Sequence, residues 1–301
     1  MANSHFKSGF VALVGRPNVG KSTLLNAILG QKVAIMSDKP QTTRNRIQGV
    51  YTVPEGQAVF LDTPGIHKPH HKLGDYMVRT ATNTLKEVDL ICMLVDASEK
   101  PGPGDQFVVE QIQKVNTPAF LIINKIDTIS QEKLLESIDA YKNMGAFQEI
   151  IPISALKREN LDRFRKLIFD YLEEGPKYYP DDQITDHPER FVVAELIREK
   201  VLHLTREEIP HSVAVEVEQM QYREDKDLLS INAVIYTERS SQKAILIGKS
   251  GSMLKEIGKR ARIDIENLLG SKTYLELWIK VKEDWRNRDT MLRNFGFTDQ
   301  E

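Results

Sequence analysis

Residues 9–29, GFVALVGRPNVGKSTLLNAIL, decide the fold. The apolar run FVALV reads as a buried strand, and STLLNAIL has helical character. Between them, Gly15-Arg16-Pro17-Asn18-Val19-Gly20-Lys21-Ser22 matches G-x-x-x-x-G-K-[ST] in full. Strand, glycine loop and helix in that order let the loop turn its backbone N–H groups around phosphates. The helix N-terminus adds positive potential at the same place. Lys21 is expected to reach the β- and γ-phosphates and Ser22 to ligate Mg²⁺, with Gly15 to Thr23 as the phosphate-contacting stretch. A merely tight turn would need neither the Lys-Ser pair nor the flanking strand and helix.

Working outward, a second apolar strand, QAVFLDT, ends at Asp62. Asp62-Thr63-Pro64-Gly65 reads as D-x-x-G, in which Asp62 supports the Mg²⁺ shell through its bound water. Gly65, lacking a Cβ, lets its backbone N–H approach a γ-phosphate. The next residue in Ras-like enzymes is a glutamine that positions water. Here it is Ile66, which has no polar atom for that purpose. Lys21, Thr43, Asp62 and Gly65 are therefore the candidate catalytic group.

Asn124-Lys125-Ile126-Asp127 closes the strand AFLII. A carboxylate can accept two hydrogen bonds only from a base edge that offers two donors, as guanine does and adenine does not. Asp127 thus selects guanine, since an adenine would leave its charge unpaired. Asn124 is expected to bond the base and tie loops together, and the stem of Lys125 to pack on the base plane. Ser154-Ala155-Leu156, after EIIPI, would offer a backbone N–H to the guanine carbonyl. The polar segment 37–46 suits a switch loop, in which Thr42 or Thr43 ligates the metal, Thr43 being preferred. Residues 65–77 form the expected second switch. His67, His70 and His71 read as solvated loop residues, with a metal site or a general base as the competing reading.

Apolar strands alternating with amphipathic segments such as NLDRFRKLIFDYLEE predict a mostly parallel α/β sheet with helices on both faces over residues 1–174. The stretch EEGPKYYPDDQITDHPE carries three prolines and no periodicity, so residues 175–190 read as a linker. From 191 to 301 the pattern becomes that of a smaller α+β domain, with two helices interrupted by Gly248-Lys249-Ser250-Gly251. Apolar residues make up 41% and charged residues 28% of 301, a globular balance. Cys92 is the only cysteine, so no intramolecular disulfide is available, and its apolar setting marks it as core. The first ten residues lack a secretory pattern, and no run has the length of a membrane span. The chain therefore reads as cytosolic.

The GKSG loop resembles the G-x-x-G loop of KH domains, which clamps a single-stranded nucleic-acid backbone. From Arg239 to Arg293 there are thirteen Lys/Arg against seven Asp/Glu, a local +6 in a chain of net −2. Such a patch is an electrostatic footprint for a polyanion. Gly248, Lys249, Ser250, Gly251, Lys255, Lys259 and Arg260 are the expected RNA contacts. Ile245, Leu246, Ile247 and Ile257 are expected to line an apolar groove for bases. Trp278, in a strand, is expected in the core, and Trp285 is a candidate base-stacking residue.

GRPNVGKS, DTPG, NKID, SAL and a C-terminal GKSG unit, in this order, resemble the Era family of bacterial GTPases, of the TrmE-Era-EngA-like class. The resemblance covers nearly the whole chain and implies a type II KH domain. It implies a Mg²⁺-dependent GTPase with GTP and GDP as ligands and a slow intrinsic rate, which assists assembly of the small ribosomal subunit. The implied partner is single-stranded ribosomal RNA near the small-subunit 3′ end. Peripheral association with the inner face of the cell membrane is implied as well, and a monomer is expected. Related GTPases also carry an apolar residue at the position of Ile66, and an asparagine like Asn18 that helps bind K⁺. The competing readings are a GTP-gated RNA-binding module with negligible hydrolysis, and an ATPase.

Overall fold

A computed structural model describes residues 6–66, 68–69 and 71–298. His67 and His70 lie outside the described residues. The chain divides into two compact units, the first comprising Met1–Ala34, Thr43–Pro69 and Met77–Asp186, the second Ile35–Thr42, His70–Tyr76 and His187–Glu301.

The first unit is built on β1 (Lys7–Val14), α1 (Lys21–Leu29), β2 (Ile47–Val53), β3 (Gly56–Asp62) and, from Met77 onward, α2 (Lys72–Thr84). These are followed by β4 (Leu90–Asp96), α3 (Pro103–Ile112), β5 (Ala119–Asn124), α4 (Gln131–Lys142), β6 (Glu149–Pro152) and α5 (Leu161–Tyr171). The six strands are ordered β2-β3-β1-β4-β5-β6, with every neighbouring pair parallel except β2 with β3. β4 and β5 are buried along their whole length, as continuous apolar runs require of central parallel strands. Cys92 is among them, and burial pushes its thiol up, out of reach of ionisation at neutral pH.

The antiparallel edge strand β2 is not among the expected strands. Its sequence, IQGVYTV, breaks apolar alternation with Gln48 and Gly49. Gly49 is there for packing, since a Cβ would sit 2.7 Å from the methyls of Leu25 and Leu29 on α1. The expected second switch, 65–77, runs into the first turns of α2.

The expected linker is not a free tether through most of its length. Gly175 N donates to Phe6 O at 3.0 Å, and Ser8 Oγ to Pro176 O at 2.7 Å. Tyr178 N and Tyr179 N both donate to Gln57 Oε1 at 2.9 Å, and Val50 N donates to Ile184 O at 2.8 Å. Residues 175–186 thereby form an extended strap on the first unit, since backbone hydrogen bonds anchor a segment that lacks periodicity of its own.

The second unit contains α6 (Glu189–Leu204), α7 (Ile209–Ser212), β7 (Ala214–Arg223) and β8 (Leu228–Thr237). Then come α8 (Ser240–Ile247), α9 (Ser252–Leu269), β9 (Thr273–Val281) and α10 (Asp289–Asn294). Its sheet runs β7-β8-β9, with β7 antiparallel and β9 parallel to β8. One face packs on the helices around Ile197, Ile231, Ile235, Leu246 and Ile257.

The structure departs from expectation at three places. Trp278 is 58% exposed, whereas Trp285 is fully buried. On β9 the core positions fall to Leu275, Leu277 and Ile279, so alternation sends Trp278 to the other face. Trp285 donates Nε1–H to Ser212 O at 2.8 Å and stacks on Phe297 at 6.1 Å, which removes it from base stacking. Leu246 and Ile257 are core residues and cannot line an open groove, while Ile245 is exposed.

Candidate functional site

The glycine loop lies between β1 and α1, where the sequence puts it. Its backbone uses positive φ at Gly15 (146°), Asn18 (65°) and Gly20 (99°). A Cβ on Gly15 would meet the carbonyl of Leu94 at 2.4 Å, and one on Gly20 would meet Asn124 Nδ2 at 2.2 Å. Both positions therefore exclude a side chain for steric as well as torsional reasons. Arg16 points away from the loop and donates Nε–H to Asp105 Oδ1 at 2.8 Å, with Nη2 on Glu99 at 2.5 Å. Pro17 abuts Gly65, whose Cβ would lie 2.7–2.8 Å from the Pro17 backbone.

Three oxygens converge at the start of α1. Ser22 Oγ donates to Asp62 Oδ2 at 2.6 Å and lies 2.9 Å from Thr43 Oγ1, which is itself 3.4 Å from Asp62 Oδ2. Thr42 instead donates Oγ1–H to Lys39 O at 2.6 Å. Asp62 Oδ1 is buried without a hydrogen-bond partner, an orphan of the kind that a cation or its bound water satisfies. An all-oxygen donor set of hydroxyls and a carboxylate suits Mg²⁺.

Lys21 is buried and donates Nζ–H to Arg16 O at 2.8 Å and Gly15 O at 3.2 Å, inside the loop that would hold phosphate. Burial pulls its pKa down to about 8 against the field of Asp62. Burial likewise pushes Asp62 up to about 6, opposed by Lys21, Ser22 and Thr43. Both charges are thus held in a dry site that an anionic ligand and a cation would re-stabilise.

Ile66 is 1% exposed and packs in the first unit's core beside Val14 and Leu61, with its N–H donating to Gly15 O at 3.2 Å. Thr63 ties the same loop to β1 through Oγ1–H to Leu13 O at 2.8 Å.

The corner expected to select the base is assembled at the ends of β5 and β6. Asn124 donates Nδ2–H to Val19 O at 2.9 Å and accepts from Ala155 N at 3.0 Å, so one amide joins three loops. Lys125 takes φ 67° and its Nζ lies 2.5 Å from Asp96 Oδ2. Burial opposes ionisation of Asp96, yet hydrogen bonds from Lys125 and Ser98 hold it below the usual carboxylate range. Ser154 donates Oγ–H to Asp127 Oδ1 at 2.6 Å, with Ser154 buried and Asp127 exposed. Leu156 is 73% exposed.

Asp96, which anchors Lys125, is not singled out by any sequence motif. It pairs in register with Asn124 at the carboxyl ends of adjacent strands, where α/β sheets bind ligands, and that placement is the signal. His71 accepts at Nδ1 from Gly74 N at 2.9 Å at the start of α2. No metal-binding group of three or more His, Cys, Asp or Glu residues occurs among the described residues.

In the second unit, Gly248–Gly251 joins α8 to α9 with φ of 71° at Gly248, 51° at Ser250 and 78° at Gly251. No side chain caps the first turn of α9, which leaves its N–H groups available beside Lys249. Lys249, Lys255, Lys259 and Arg260 are exposed, and Arg260 is paired with Glu256 at 2.6 Å.

A glycine-rich loop ahead of α1, the Asn124–Asp127 corner and a separate G-x-x-G unit together match a GTPase carrying a nucleic-acid-binding module. Comparisons agree: a family model described as 50S ribosome-binding GTPase matches residues 10–125, and a KH domain model matches 208–286. The GTPase Era of Heliobacterium modesticaldum is 60% identical over 294 residues, 98% of each chain. That of Alkaliphilus oremlandii is 61% identical over 292 residues, 97% of this chain and 99% of the relative. The chain belongs to the Era family of GTPases. Era in complex with MgGDPNP and nucleotides 1506–1542 of 16S ribosomal RNA superposes with TM-score 0.95 at 47% identity, covering 98% of this chain and 100% of the other. An Aquifex aeolicus Era variant bound to GDP and AlF4⁻ gives TM-score 0.94 at 46% identity, with the same coverage.

Proposed function

We propose that this chain is a Mg²⁺-dependent, GTP-hydrolysing switch that binds single-stranded RNA of the small ribosomal subunit and assists that subunit's maturation. The observation that carries the nucleotide reading is the convergence of Ser22, Thr43 and Asp62 around a buried, unsatisfied carboxylate oxygen. Magnesium, when bound, neutralises phosphate charge as it develops. Ser22 and Thr43 would hold it through their hydroxyls, Asp62 would support it through bound water, and Lys21 would hold the phosphates. Asn124, Asp127 and Ala155 read guanine. Lys249 and the first turn of α9 hold an RNA backbone, with Lys255, Lys259 and Arg260 supplying field.

Ile66 favours slow turnover. Its side chain is committed to the core, so no group at that position orders water. This is also the observation behind the second reading, a GTP-gated RNA-binding module with negligible hydrolysis. Asn18, exposed at positive φ on the rim of the loop, is the candidate K⁺ ligand that would supply charge in place of an arginine. Single-turnover phosphate release, measured in K⁺ and in Na⁺ with and without single-stranded RNA, tests the proposal. Release faster in K⁺ and responsive to RNA supports it. Release at the solution rate under all four conditions would leave only the binding module. No helix among the described residues is long and apolar enough to cross a membrane. We place the chain in the cytoplasm as a monomer, with its membrane contact peripheral.

A further inference from the structure

The exposed face of the second unit's sheet differs in chemistry from the GKSG side. Tyr274, Glu276, Trp278 and Lys280 alternate with the core residues of β9 and so share its outward face. Tyr274 is 54% and Trp278 58% exposed, and among the described residues neither ring has an aromatic partner. Glu276 stands between them, about 7 Å from each along the strand. Among the described residues no cation pairs with it. Register carries the row across the sheet to Asn232 and Gln219, which are hydrogen-bonded at 3.2 Å.

The charged groups on this face are three carboxylates, Glu216, Glu218 and Glu276, against two cations, Lys280 and Arg223. Glu218 pairs with Lys280 at 2.8 Å, Glu216 accepts from Tyr236 OH at 3.0 Å, and Arg223 at the far corner of β7 adds a further cation. The basic residues of the unit concentrate instead on α8, α9 and their loop, which pack on the opposite face. A polyanion is therefore drawn to the helical side rather than to the sheet. Two exposed aromatic faces flanking an unpaired carboxylate have the chemistry that receives a guanidinium or ammonium group. Exposed Trp and Tyr beside such a charge are also the residue types enriched in interface hot spots. Because β9 is the outer strand of the order β7-β8-β9, an extended segment has room to lie along it.

We propose that the Tyr274-Glu276-Trp278 strip docks an extended basic segment of a partner protein, one arginine or lysine side chain seating on Glu276 between the two rings. This function needs neither GTP nor RNA. The test uses the full chain and a fluorescently labelled twelve-residue peptide of alternating arginine and serine, followed by anisotropy. A glutamate-serine peptide serves as the control. Saturable binding of the basic peptide alone is expected, with Trp278 emission shifting while the buried Trp285 stays silent. Glu276→Gln keeps shape and removes charge at a half-buried position, and should weaken binding about tenfold. Tyr274→Ala should do the same. Affinity unchanged in Glu276→Gln overturns the proposal. So does a loss of single-stranded RNA binding in Tyr274→Ala or Trp278→Ala with the peptide unaffected, which would give this face to nucleic acid.

Discussion

A single carboxylate can set the choice of nucleotide. Asp127 is exposed and held by Ser154, so Asp127→Asn keeps its neighbours while exchanging an acceptor for a donor. GTP affinity should fall about 100-fold and xanthosine triphosphate should gain, read by competition binding. Asp62 gives a pH dependence. Its folded pKa of about 6 lies well above the ordinary aspartate value of 3.8, so the nucleotide-free chain holds an extra proton between the two. That group therefore stabilises the free chain more as pH falls through this window, and the contribution is lost as pH rises through about 6. If Mg²⁺–nucleotide binding uses the carboxylate as proposed, affinity should drop up to about tenfold per unit below pH 6. A calorimetric titration from about pH 5 to about pH 7.5 that shows no proton release would remove Asp62 from the metal site.

At the level of elements, the G-x-x-G connection is a turn built from positive φ and followed by an uncapped helix. Gly251 has φ 78°, and a Cβ placed there would have nothing within 4 Å, so an added side chain meets strain but no clash. Gly251→Asp should cost about 1 kcal/mol of stability. It also puts a negative charge where an RNA phosphate would sit. Retention of single-stranded RNA should fall at least about tenfold with GTP affinity unchanged, in filter-binding and nucleotide-exchange measurements. Loss of both would mean that the loop is structural. Most elements are legible in the sequence because central parallel strands must be apolar throughout. β2 is not, since an edge strand with a glycine under α1 satisfies packing and not alternation. The strap over 175–186 is invisible for a related reason, its anchors being hydrogen bonds to residues far away in sequence.

For the molecule as a whole, both expected switch segments cluster with the second unit over part of their length, Ile35–Thr42 and His70–Tyr76. In that unit Arg198, 2% exposed on α6, donates to the carbonyl of Thr42 and pairs with Glu195 at 2.6 Å. Glu199 accepts from Met36 N at 3.0 Å, and His203 Nε2 lies 2.8 Å from Met36 O. One helix thus grips both ends of the segment that leads into Thr43. A nucleotide that ordered Thr43 would act on the residue next to Thr42, and any coupling so produced would be reciprocal. Arg198→Ala should leave basal nucleotide and RNA affinities within about threefold. It should reduce the effect of RNA on GTP turnover from the roughly 5- to 150-fold range usual for coupling to about twofold or less. Turnover that still responds fully to RNA would assign Arg198 to packing alone, a role that thermal melting would then register.

The sequence by itself determined the chemistry that depends on local order. The glycine loop, the carboxylate that ends β3 and the asparagine-lysine-aspartate corner each need a fixed spacing within one strand–loop–helix unit, and spacing is written in the chain. Tertiary structure alone decided which side chains those loops turn to the site and which to the core. Ile66 went to the core, Thr43 came beside Ser22 and Asp62, and the two tryptophans exchanged their expected places. The physical reason is that burial is settled by what packs from elsewhere in the chain. A strand's period of two says that alternate residues face apart, but only the helices laid against one face decide which face is dry.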